Sequence, residues 1–581
     1  MDLSDFRREL QSKLEDAGER ILLRIVTAPS FDHPVELSGA EILAAGRKIA
    51  RGSACVKPDN LVLLLLPHSV ELFLLHLGLI LEGYCPAILP WPTRRVDAEK
   101  YRRNLVYQLR QLPASQLITT PGLTDNLRGD MTYTVTGCAV PNAEDHDRMF
   151  SSSQPRLQLS PAVPVTGALS APEDALFVQF SGGTTGLQKA VAVSPRMLQE
   201  QLSRLARVLD FSAKDSVISW LPMYHDMGLI ACLWLPLWYG APSLQFANND
   251  WLLYPELLFR YMDRYSGTFC WLPNFAFSYL AERRATMTGH HSLQHVRGWI
   301  NCSEPVRLGS LDAFEGKFAN WGVQIESLQA CYAMAENVFA VTQSPVGRRA
   351  RTVPRQEVTD RSTSYSDLAF RMLDRVFVSS GVALPDTQLR IVAASGEPCP
   401  DGTAGEIHIK TPSLFSGYWS KGKWDDSSID KDSFYRTGDY GFVLDDELYV
   451  IGRTKDIIIN AGQNVFPEDI EAVVNSLEGI YTGRVVAFGV AHEAYGTELI
   501  AVVAEMRGKY EPARARSLEQ EIRSLVLAAI GIAPRYVSVV PERWIVKSTA
   551  GKISRHDTRE RFLHEQADKA GGHSAPGPRY L

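Results

Sequence analysis

Short apolar runs alternate with longer helical stretches through much of the chain, and this alternation restricts the fold more than any other feature. Leu61 to Leu66 is typical of a buried strand, and a helical pattern follows it from Val70 to Leu81. Further strand-like runs cover Ala175 to Phe180, Val217 to Trp220 and His295 to Asn301. Strands that alternate with helices form parallel sheets flanked by helices, so we predict an α/β fold.

A change in the sequence pattern divides the rest of the chain. From Val376 onwards short strands and turns replace the long helical patterns, which indicates a β-rich subdomain starting at about residue 376. After Arg453 a polar turn leads to a helix start at Pro467. Because domains usually hold ~100 to 250 residues, we predict a large N-terminal domain over residues 1–452 and a small, mobile α+β domain over residues 453–581.

Composition excludes several classes of protein. A net charge of -6 gives no electrostatic footprint for nucleic acid, so we expect no nucleic-acid partner. Eight cysteines without a CxxC pair favour neither a disulfide framework nor a zinc site, and the charged N-terminus does not resemble a secretory signal. We therefore expect a cytoplasmic protein. The apolar region from Leu61 to Leu89 predicts no membrane insertion, because polar residues and a proline interrupt it, at Pro67, Glu71, His76 and Glu82.

A glycine- and threonine-rich turn follows the run that ends at Phe180. Glycines let backbone N–H groups point inward, and hydroxyls with an ammonium complete a cradle for phosphate oxygens. The spacing does not match a Walker loop, and such a turn taken alone is as compatible with a structural role. The residues concerned are Ser181, Gly182, Gly183, Thr184, Thr185, Gly186 and Lys189.

Six further motifs lie downstream in a fixed order. They read WLPMYHDMGLI, NCSEPVR, CYAMAE, YRTGD, GRTKDIIINAGQNVFPEDIE and VKSTAGKISR. Together with the glycine-rich turn they resemble the acyl-adenylate-forming superfamily from about Leu61 to about Phe562, and the chain is most similar to its fatty acyl-AMP ligases. The resemblance implies that a carboxylic acid is joined to the AMP part of ATP and pyrophosphate is released.

The resemblance also implies how ATP and Mg²⁺ are held. The glycine-rich turn and Lys189 would hold the β and γ phosphates, and Glu336 would be the magnesium ligand, since magnesium bridging phosphates commonly uses one or two protein carboxylates. The remaining nucleotide contacts would be Ser303, Glu304 and Pro305 along the adenine, Tyr332 stacked on its face, Asp439 at the ribose hydroxyls and Arg453 beside the ribose and phosphate.

Two residues would act on the reacting groups, and a third would allow the small domain to rotate. Lys552 matches the catalytic lysine of the family, an ammonium that touches both the carboxylate and the α-phosphate as charge builds up. His225 resembles the histidine near the substrate carboxylate. Lys455 occupies the hinge at which family members rotate the small domain between two half-reactions.

Aromatic residues near these motifs are candidates for the wall of an acyl pocket. The candidates are the aromatic residues Trp220, Tyr224, Phe275 and Phe277 together with Asn274, although aromatic residues are equally typical of an ordinary core. Spacing alone does not fix the length of the acyl chain.

Two features favour the fatty acyl-AMP ligase branch over CoA ligases. Ala335 stands where CoA ligases usually carry threonine, and 42 positions separate Glu336 from Val378. The excess, around Gly347 to Arg371, resembles a segment thought to restrain domain motion and disfavour CoA, although its six arginines are also typical of a solvated loop.

The leading hypothesis is a ligase that activates a medium or long fatty acid and passes it to the phosphopantetheine thiol of a separate acyl carrier protein. Such a step belongs to polyketide, lipopeptide or lipid biosynthesis. A ligase that makes acyl-CoA, a ligase for aromatic acids and a non-catalytic nucleotide sensor are the alternatives. Substitutions from the usual family pattern at Gly182, Gln188, Ala190 and Pro195 predict altered ATP affinity more than lost activity.

Overall fold

The computed structural model describes most of the 581-residue chain. The described residues are 1–53, 60–92, 101, 105, 108, 112, 116–120, 134–137, 174–181, 189–355, 358, 376–420, 423–461, 463–492, 497–547 and 553–569.

Helices and strands alternate as the sequence predicts. The α-helices are α1 Leu3–Ala17, α2 Gly39–Ser53, α3 Val70–Leu81, α4 Pro195–Leu209, α5 Leu235–Tyr239, α6 Asn248–Leu253, α7 Glu256–Arg264, α8 Asn274–Arg283, α9 Leu308–Phe318, α10 Pro467–Asn475, α11 Pro512–Ile530 and α12 Arg555–Lys569. A π-helix, Met227–Trp234, runs directly into α5. Short 3-10 turns cover Arg284–Thr286, Ala319–Trp321, Ile325–Ser327, Ala335–Asn337 and Thr454–Asp456.

The strands fall into two large sheets and three smaller groups. They are β1 Ile21–Val26, β2 Val35–Ser38, β3 Leu61–Leu65, β4 Cys85–Ile88, β5 Gln116–Thr119, β6 Thr134–Gly137, β7 Phe177–Phe180, β8 Ala190–Val193, β9 Val217–Ser219, β10 Ser243–Phe246, β11 Phe269–Leu272, β12 Gly298–Cys302, β13 Leu328–Ala333, β14 Ala340–Gln343, β15 Thr352–Pro354, β16 Val376–Val378, β17 Val382–Ala383, β18 Gln388–Val392, β19 Gly405–Lys410, β20 Tyr418–Ser420, β21 Lys423–Asp425, β22 Tyr435–Leu444, β23 Glu447–Arg453, β24 Ile458–Asn460, β25 Gln463–Val465, β26 Ile480–His492, β27 Thr497–Met506 and β28 Tyr536–Val540.

The largest sheet has 13 strands in the order β18-β19-β22-β23-β17-β14-β13-β12-β11-β9-β10-β1-β2. Its centre, from β13 to β1, is parallel, with Trp299 opposite Leu328 and Phe269 opposite Gly298. Five strands after Val376 join it antiparallel through β17, so most of the β-rich region continues this sheet; the five are β17, β18, β19, β22 and β23. The predicted α/β fold with parallel sheets is confirmed.

A second sheet of eight strands has the order β21-β20-β8-β7-β4-β3-β5-β6. Its strands β3, β4, β5 and β7 are parallel, and β8 turns back antiparallel to β7. Strand β20, which is distant in sequence, pairs with β8 where Trp419 lies opposite Ala190. That pairing brings residues near 418 to the exit of the glycine-rich turn.

The apolar stretch of the sequence becomes the buried strand β3 and the buried helix α3. Every residue of α3 is buried, which explains why its pattern shows no polar face. Helix α2 crosses α3 so closely that a Cβ on Gly78 would lie 2.0 Å from the carbonyl oxygen of Gly46. Within the described part of the chain, no helix is long and apolar enough to cross a membrane.

The residues after about 458 build cores of their own. Strands β26, β27 and β28 form a three-stranded sheet, with α11 following β27 and packing on β28. Helix α11 buries Ala515, Leu518, Ile522, Val526 and Ala529, at the spacing of one helix face. Two hydrophobic clusters consist entirely of residues from this part of the chain.

Candidate functional site

Most of the predicted site residues lie at one edge of the largest sheet. Parallel strands β9, β11, β12 and β13 end at this edge, and each is followed by predicted site residues. Ligands of open α/β sheets bind outside the carboxyl ends of the strands. The order of the motifs along the chain therefore becomes a cluster in space.

Asp439 is the centre of a hydrogen-bonded group at this edge. The Tyr332 hydroxyl donates to Asp439 Oδ2 at 2.5 Å, and Arg453 Nε lies 3.2 Å from Oδ1. Asp439 and Arg453 face each other across β22 and β23, so the sheet register fixes their separation. Burial, followed by the Asp439 carboxylate, raises the pKa of Tyr332 well above its usual value, which keeps the hydroxyl protonated as a donor. Asp439 retains lone pairs for further hydroxyl donors.

Glu336 sits in a strained turn after β13. Val338, two residues later, has φ of 65°, a conformation that β-branched residues rarely adopt. The Gln179 side-chain amide donates to the carbonyl oxygens of Ala335 and Val338, both at 2.9 Å, and so braces this turn. Burial raises the pKa of Glu336, while the hydrogen bond that the Tyr418 hydroxyl donates works against the increase.

The surroundings of Glu336 fit a magnesium ion held mainly by phosphates. Among the described residues, no group of three or more His, Cys, Asp or Glu side chains could hold a metal ion by itself. The buried Glu336 carboxylate offers one oxygen ligand, and magnesium on a nucleotide commonly needs only one or two from the protein. The Glu336 carboxylate therefore fits the predicted role of a single protein ligand.

The predicted adenine segment is tied to the segment that begins α8. Ser303 has φ of 77°, which turns the chain sharply after β12. Glu304 Oε2 accepts a hydrogen bond from the backbone N–H of Phe275 at 2.9 Å. Asn274 Oδ1 accepts from Asn301 Nδ2 at 2.9 Å and from the backbone N–H of Arg307 at 3.1 Å. Asn274 therefore connects two loops of the site, a role that sequence spacing does not reveal.

Aromatic rings line the neighbouring region. Trp220 stacks on Trp251 with 3.9 Å between ring centroids, and Phe275 meets Trp220 edge-on at 6.4 Å. Sequence reasoning missed Trp251, because no motif surrounds it. Phe277 is fully buried and packs edge-on against Phe314 of α9, at 5.1 Å.

His225 precedes the π-helix at the end of β9. Its ring centroid lies 4.9 Å from that of Tyr224, and Asp226 Oδ1 caps the π-helix by accepting from the Met227 N–H at 2.8 Å. The predicted residues Tyr224 and His225 thus stand beside Asp226 at the start of one helix, and π-helical turns are frequent at functional sites.

The glycine-rich turn is bounded by two described residues. The Ser181 N–H donates to the carbonyl oxygen of Lys189 at 2.9 Å, which closes the base of the turn. The predicted phosphate-binding residues Gly182, Gly183, Thr184, Thr185 and Gly186, and the predicted catalytic Lys552, lie outside the described residues.

The segment around Lys455 is rich in charge. Burial and then the neighbouring Arg453 lower the pKa of the Lys455 ammonium. Three residues after Lys552, Arg555 contacts Asp456 at 2.6 Å, Glu471 at 2.9 Å and Glu468 at 3.1 Å. Burial alone would lower the pKa of Arg555, but these carboxylates outweigh it and raise the pKa. Arg555 thus joins α12 to the segment after Lys455 and to α10.

Helix α10 is in turn bound to residues from the first part of the chain. Arg355 makes two hydrogen bonds to the Asp469 carboxylate, at 3.0 and 3.3 Å, and their side chains are only 7% and 3% exposed. Arg307 Nη2 donates to the carbonyl oxygen of Glu468 at 3.2 Å. Arg355 lies in the arginine-rich segment, so this part of the segment is buried and paired rather than solvated.

Fold and site together define a nucleotide-binding enzyme of the α/β class. The family profile of the AMP-binding enzymes matches residues 23–419, which is more than half of the chain, and the protein belongs to that family.

Among curated relatives, the long-chain-fatty-acid–AMP ligase FadD26 of Mycobacterium marinum is 27% identical over 575 residues, covering 92% of this chain and 94% of the relative. The 4-hydroxyphenylalkanoate adenylyltransferase of the same organism is 27% identical over 537 residues, covering 87% and 82%. Among solved structures, a fatty acyl-adenylate ligase structure from a study of the E. coli and L. pneumophila enzymes superposes with a TM-score of 0.78 at 21% identity, covering 97% of this chain and 98% of that one.

Proposed function

We propose that this enzyme uses ATP to activate a medium or long fatty acid as its acyl-adenylate and then transfers the acyl group to the phosphopantetheine thiol of an acyl carrier protein. The observation that carries the proposal is the buried Asp439 group beside the Glu336 turn. It combines an anionic acceptor for ribose hydroxyls, an aromatic face and a single metal carboxylate. Relatives named for fatty-acid–AMP ligation support the choice of acid.

In the first half-reaction a carboxylate oxygen of the acid attacks the α-phosphorus of ATP. A bond forms between that oxygen and phosphorus, the bond to the bridging oxygen breaks, and pyrophosphate leaves with its electron pair. Arg453, held by Asp439, would lie beside the phosphate, and Lys189 would face the departing phosphates. Lys552 would neutralise the charge on the forming mixed anhydride. Mg²⁺, held through Glu336, would supply charge neutralisation on the phosphates.

In the second half-reaction the thiol sulfur attacks the acyl carbonyl carbon, and AMP leaves with one of the original carboxylate oxygens. We place the division between a body of residues 1–452 and a lid of residues 453–581, with Lys455 as the hinge. The separate cores after residue 458 support that division. Rotation at Lys455 would carry Arg555, and with it the start of α12, as one body with α10.

The pairing of Arg355 with Asp469 supports a carrier protein over CoA as acceptor. A buried two-point ion pair between the arginine-rich segment and α10 restrains the lid. A restrained lid disfavours thioester formation with CoA, because a small free thiol can react only after the lid has rotated. A carrier protein brings its thiol on an attached arm, and its own contacts can offset the cost of moving α10.

The test is pyrophosphate release measured across saturated fatty acids of increasing length, with benzoic and 4-hydroxyphenyl acids in parallel. Each acid is assayed alone, with CoA and with a phosphopantetheinylated carrier protein. We expect release with fatty acids, and thioester formation only with the carrier protein. Thioester formation with CoA would overturn the choice of acceptor, and no release with any acid would favour a nucleotide sensor.

An aromatic acid is the second candidate substrate. The 4-hydroxyphenylalkanoate adenylyltransferase among the relatives supports it, and stacked Trp220 and Trp251 stand beside the site. Faster pyrophosphate release with the 4-hydroxyphenyl acids than with fatty acids would favour this candidate.

A further inference from the structure

Tyr418 contacts both Glu336 and Lys189, the residues proposed to bind the metal and the phosphates. Its hydroxyl donates to Glu336 Oε1 at 2.6 Å, and the Lys189 ammonium lies 4.2 Å from the centre of its ring. None of the family motifs identified in the sequence includes Tyr418, and it is separated from Glu336 by 82 residues. One side chain therefore links an acidic and a basic group that the proposed function assigns to magnesium and to phosphate.

The orientation of the Tyr418 hydroxyl is fixed by a second tyrosine. The hydroxyl oxygens of Tyr418 and Tyr435 are 2.9 Å apart. A phenol has one proton, and that of Tyr418 is donated to Glu336, so Tyr435 must donate to Tyr418. Burial raises the pKa of both phenols, which keeps both donors protonated at physiological pH.

The backbone around Tyr418 is anchored to the same two partners. The Phe415 N–H donates to the carbonyl oxygen of Glu336 at 2.9 Å, and Trp419 pairs with Ala190, the residue after Lys189. Tyr418 itself is 8% exposed. Its ring cannot move without disturbing the strand that leaves the glycine-rich turn or the turn that holds Glu336.

A glutamine makes a corresponding link on the other side of the glycine-rich turn. Gln179 lies in β7, two residues before Ser181, and its amide holds the carbonyl oxygens of Ala335 and Val338. Strands β7 and β8, which enter and leave the turn, are thus each attached to the Glu336 turn. The position of the Glu336 turn relative to strands β7 and β8 is therefore set from both sides.

We propose that Tyr418 is a positioning residue for the metal–nucleotide complex, with its hydroxyl fixing the Glu336 carboxylate and its ring fixing the Lys189 ammonium. The proposal rests on the proposed function, because it takes Glu336 as the metal ligand and Lys189 as a phosphate ligand. A single residue would then set the distance between the Glu336 carboxylate and the Lys189 ammonium, which would bind the metal and the phosphates of the nucleotide.

Two substitutions separate the two contacts of Tyr418. Tyr418→Phe removes the hydroxyl and keeps the ring, whereas Tyr418→Leu removes both. Binding of Mn²⁺ to the full-length protein with α,β-methylene ATP is measured by electron paramagnetic resonance, and metal-free nucleotide binding by calorimetry in EDTA. We expect Tyr418→Phe to weaken Mn²⁺ binding about tenfold, the effect of losing a hydrogen bond to a charged group, with metal-free affinity unchanged. Tyr418→Leu should also weaken metal-free binding, by about threefold.

The matched control is Tyr449→Phe, since Tyr449 is a buried tyrosine of β23 that stacks on Phe442 at 4.7 Å and contacts neither Glu336 nor Lys189. It should bind Mn²⁺ and nucleotide as the unaltered protein does. Equal weakening by Tyr449→Phe and Tyr418→Phe would overturn the proposal, because a general loss of packing would then explain both.

A double substitution distinguishes failure of this proposal from failure of the proposed function. Glu336→Gln should weaken Mn²⁺ binding, and adding Tyr418→Phe should change it less than about twofold further, because the two side chains act as a unit. If Glu336→Gln weakens binding and Tyr418→Phe alone does not, the role of Tyr418 is wrong and that of Glu336 stands. If Glu336→Gln leaves both Mn²⁺ binding and acid-dependent pyrophosphate release unchanged, the metal assignment of the proposed function is itself wrong.

Discussion

The two sides of the site are held together by different forces. On the sheet side, Asp439, Tyr332, Glu336 and Tyr418 are buried and joined by short hydrogen bonds in which neutral phenols donate to carboxylates. On the lid side, α10 and α12 are held by arginines that face several carboxylates, with Arg555 alone contacting three.

This difference matches the work of each side. Phenol–carboxylate hydrogen bonds on the sheet side of the site hold a fixed geometry. Such a geometry suits groups that must bind a nucleotide without reorganising. The contacts that join α10 to the body combine the Arg355–Asp469 ion pair with the packing of Phe466, the residue before α10, on Tyr440. An ion pair can exchange its partner for water when a domain rotates. The site thus combines a sheet side of fixed geometry with a lid whose attachment is reversible.

The lid side should supply the largest single effect on chemistry. Lys552→Ala is expected to slow adenylation by about 10²- to 10³-fold, because it deletes one preorganised electrostatic donor. The measurement is pyrophosphate exchange with a saturating fatty acid. Near-normal exchange would show that the residues of the sheet side are sufficient for adenylation. It would contradict the proposed role of Lys552 in the lid.

Lys455→Pro should affect the half-reaction that needs the lid to rotate and leave the other half-reaction unchanged. A proline restricts φ at the hinge, so the lid should be unable to reach its second orientation. We expect thioester formation to fall about 10²-fold, as misplacement of reacting groups does, while acyl-adenylate formation is unchanged. Equal loss of both half-reactions would argue against a hinge at Lys455.

The attachment of α10 offers a graded version of the same experiment. Asp469→Asn removes the carboxylate that accepts both hydrogen bonds from the buried Arg355, which should weaken the contact between lid and body by about 3 kcal/mol. Asp445→Asn is the matched control, because Asp445 pairs with Arg351 at the surface, where the side chains are 60% and 45% exposed, and its loss should leave the contact between lid and body unchanged.

Hydrogen exchange at α10 measures the change, and thioester formation with CoA is assayed in parallel. Faster exchange with newly gained CoA activity is expected for Asp469→Asn alone. Unchanged exchange in this variant would show that Arg355 does not restrain the lid.

The smallest effect on activity is expected at Glu471, which should instead alter the pH dependence of stability. Burial raises the pKa of Glu471 to about 7, above the value of an unfolded glutamate. Between about pH 4.5 and 7 the folded state therefore binds more protons than the unfolded state, and the free energy of unfolding falls as pH rises. Glu471→Gln should remove this slope in thermal unfolding followed from pH 4.5 to 7.5. A slope that persists would place its origin elsewhere.

Much of the fold is readable from local pattern. Helix α3 has the predicted bounds, and α10 begins at the predicted Pro467. Family, α/β class and enzymatic nature are confirmed, because ordered motifs carry that information. The roles of individual residues in binding and catalysis remain predictions.

What the sequence does not reveal is contact over long separations. Tyr418 reaches Glu336 across 82 residues, Gln179 reaches Ala335 across 156, and Arg355 reaches Asp469 across 114. Each of these side chains is of a type common in ordinary loops and strands. Their importance arises only when sheet pairing, such as that of β20 with β8, brings distant segments together.

The most direct measurement follows the oxygen atoms. A fatty acid carrying two ¹⁸O atoms in its carboxylate is converted to the carrier-protein thioester, and AMP and phosphate are analysed by mass spectrometry. Because a carboxylate oxygen attacks the α-phosphorus and leaves with AMP, we expect AMP to contain one ¹⁸O atom. The released pyrophosphate should contain none. Label in inorganic phosphate, or unlabelled AMP with full thioester formation, would contradict activation through an acyl-adenylate.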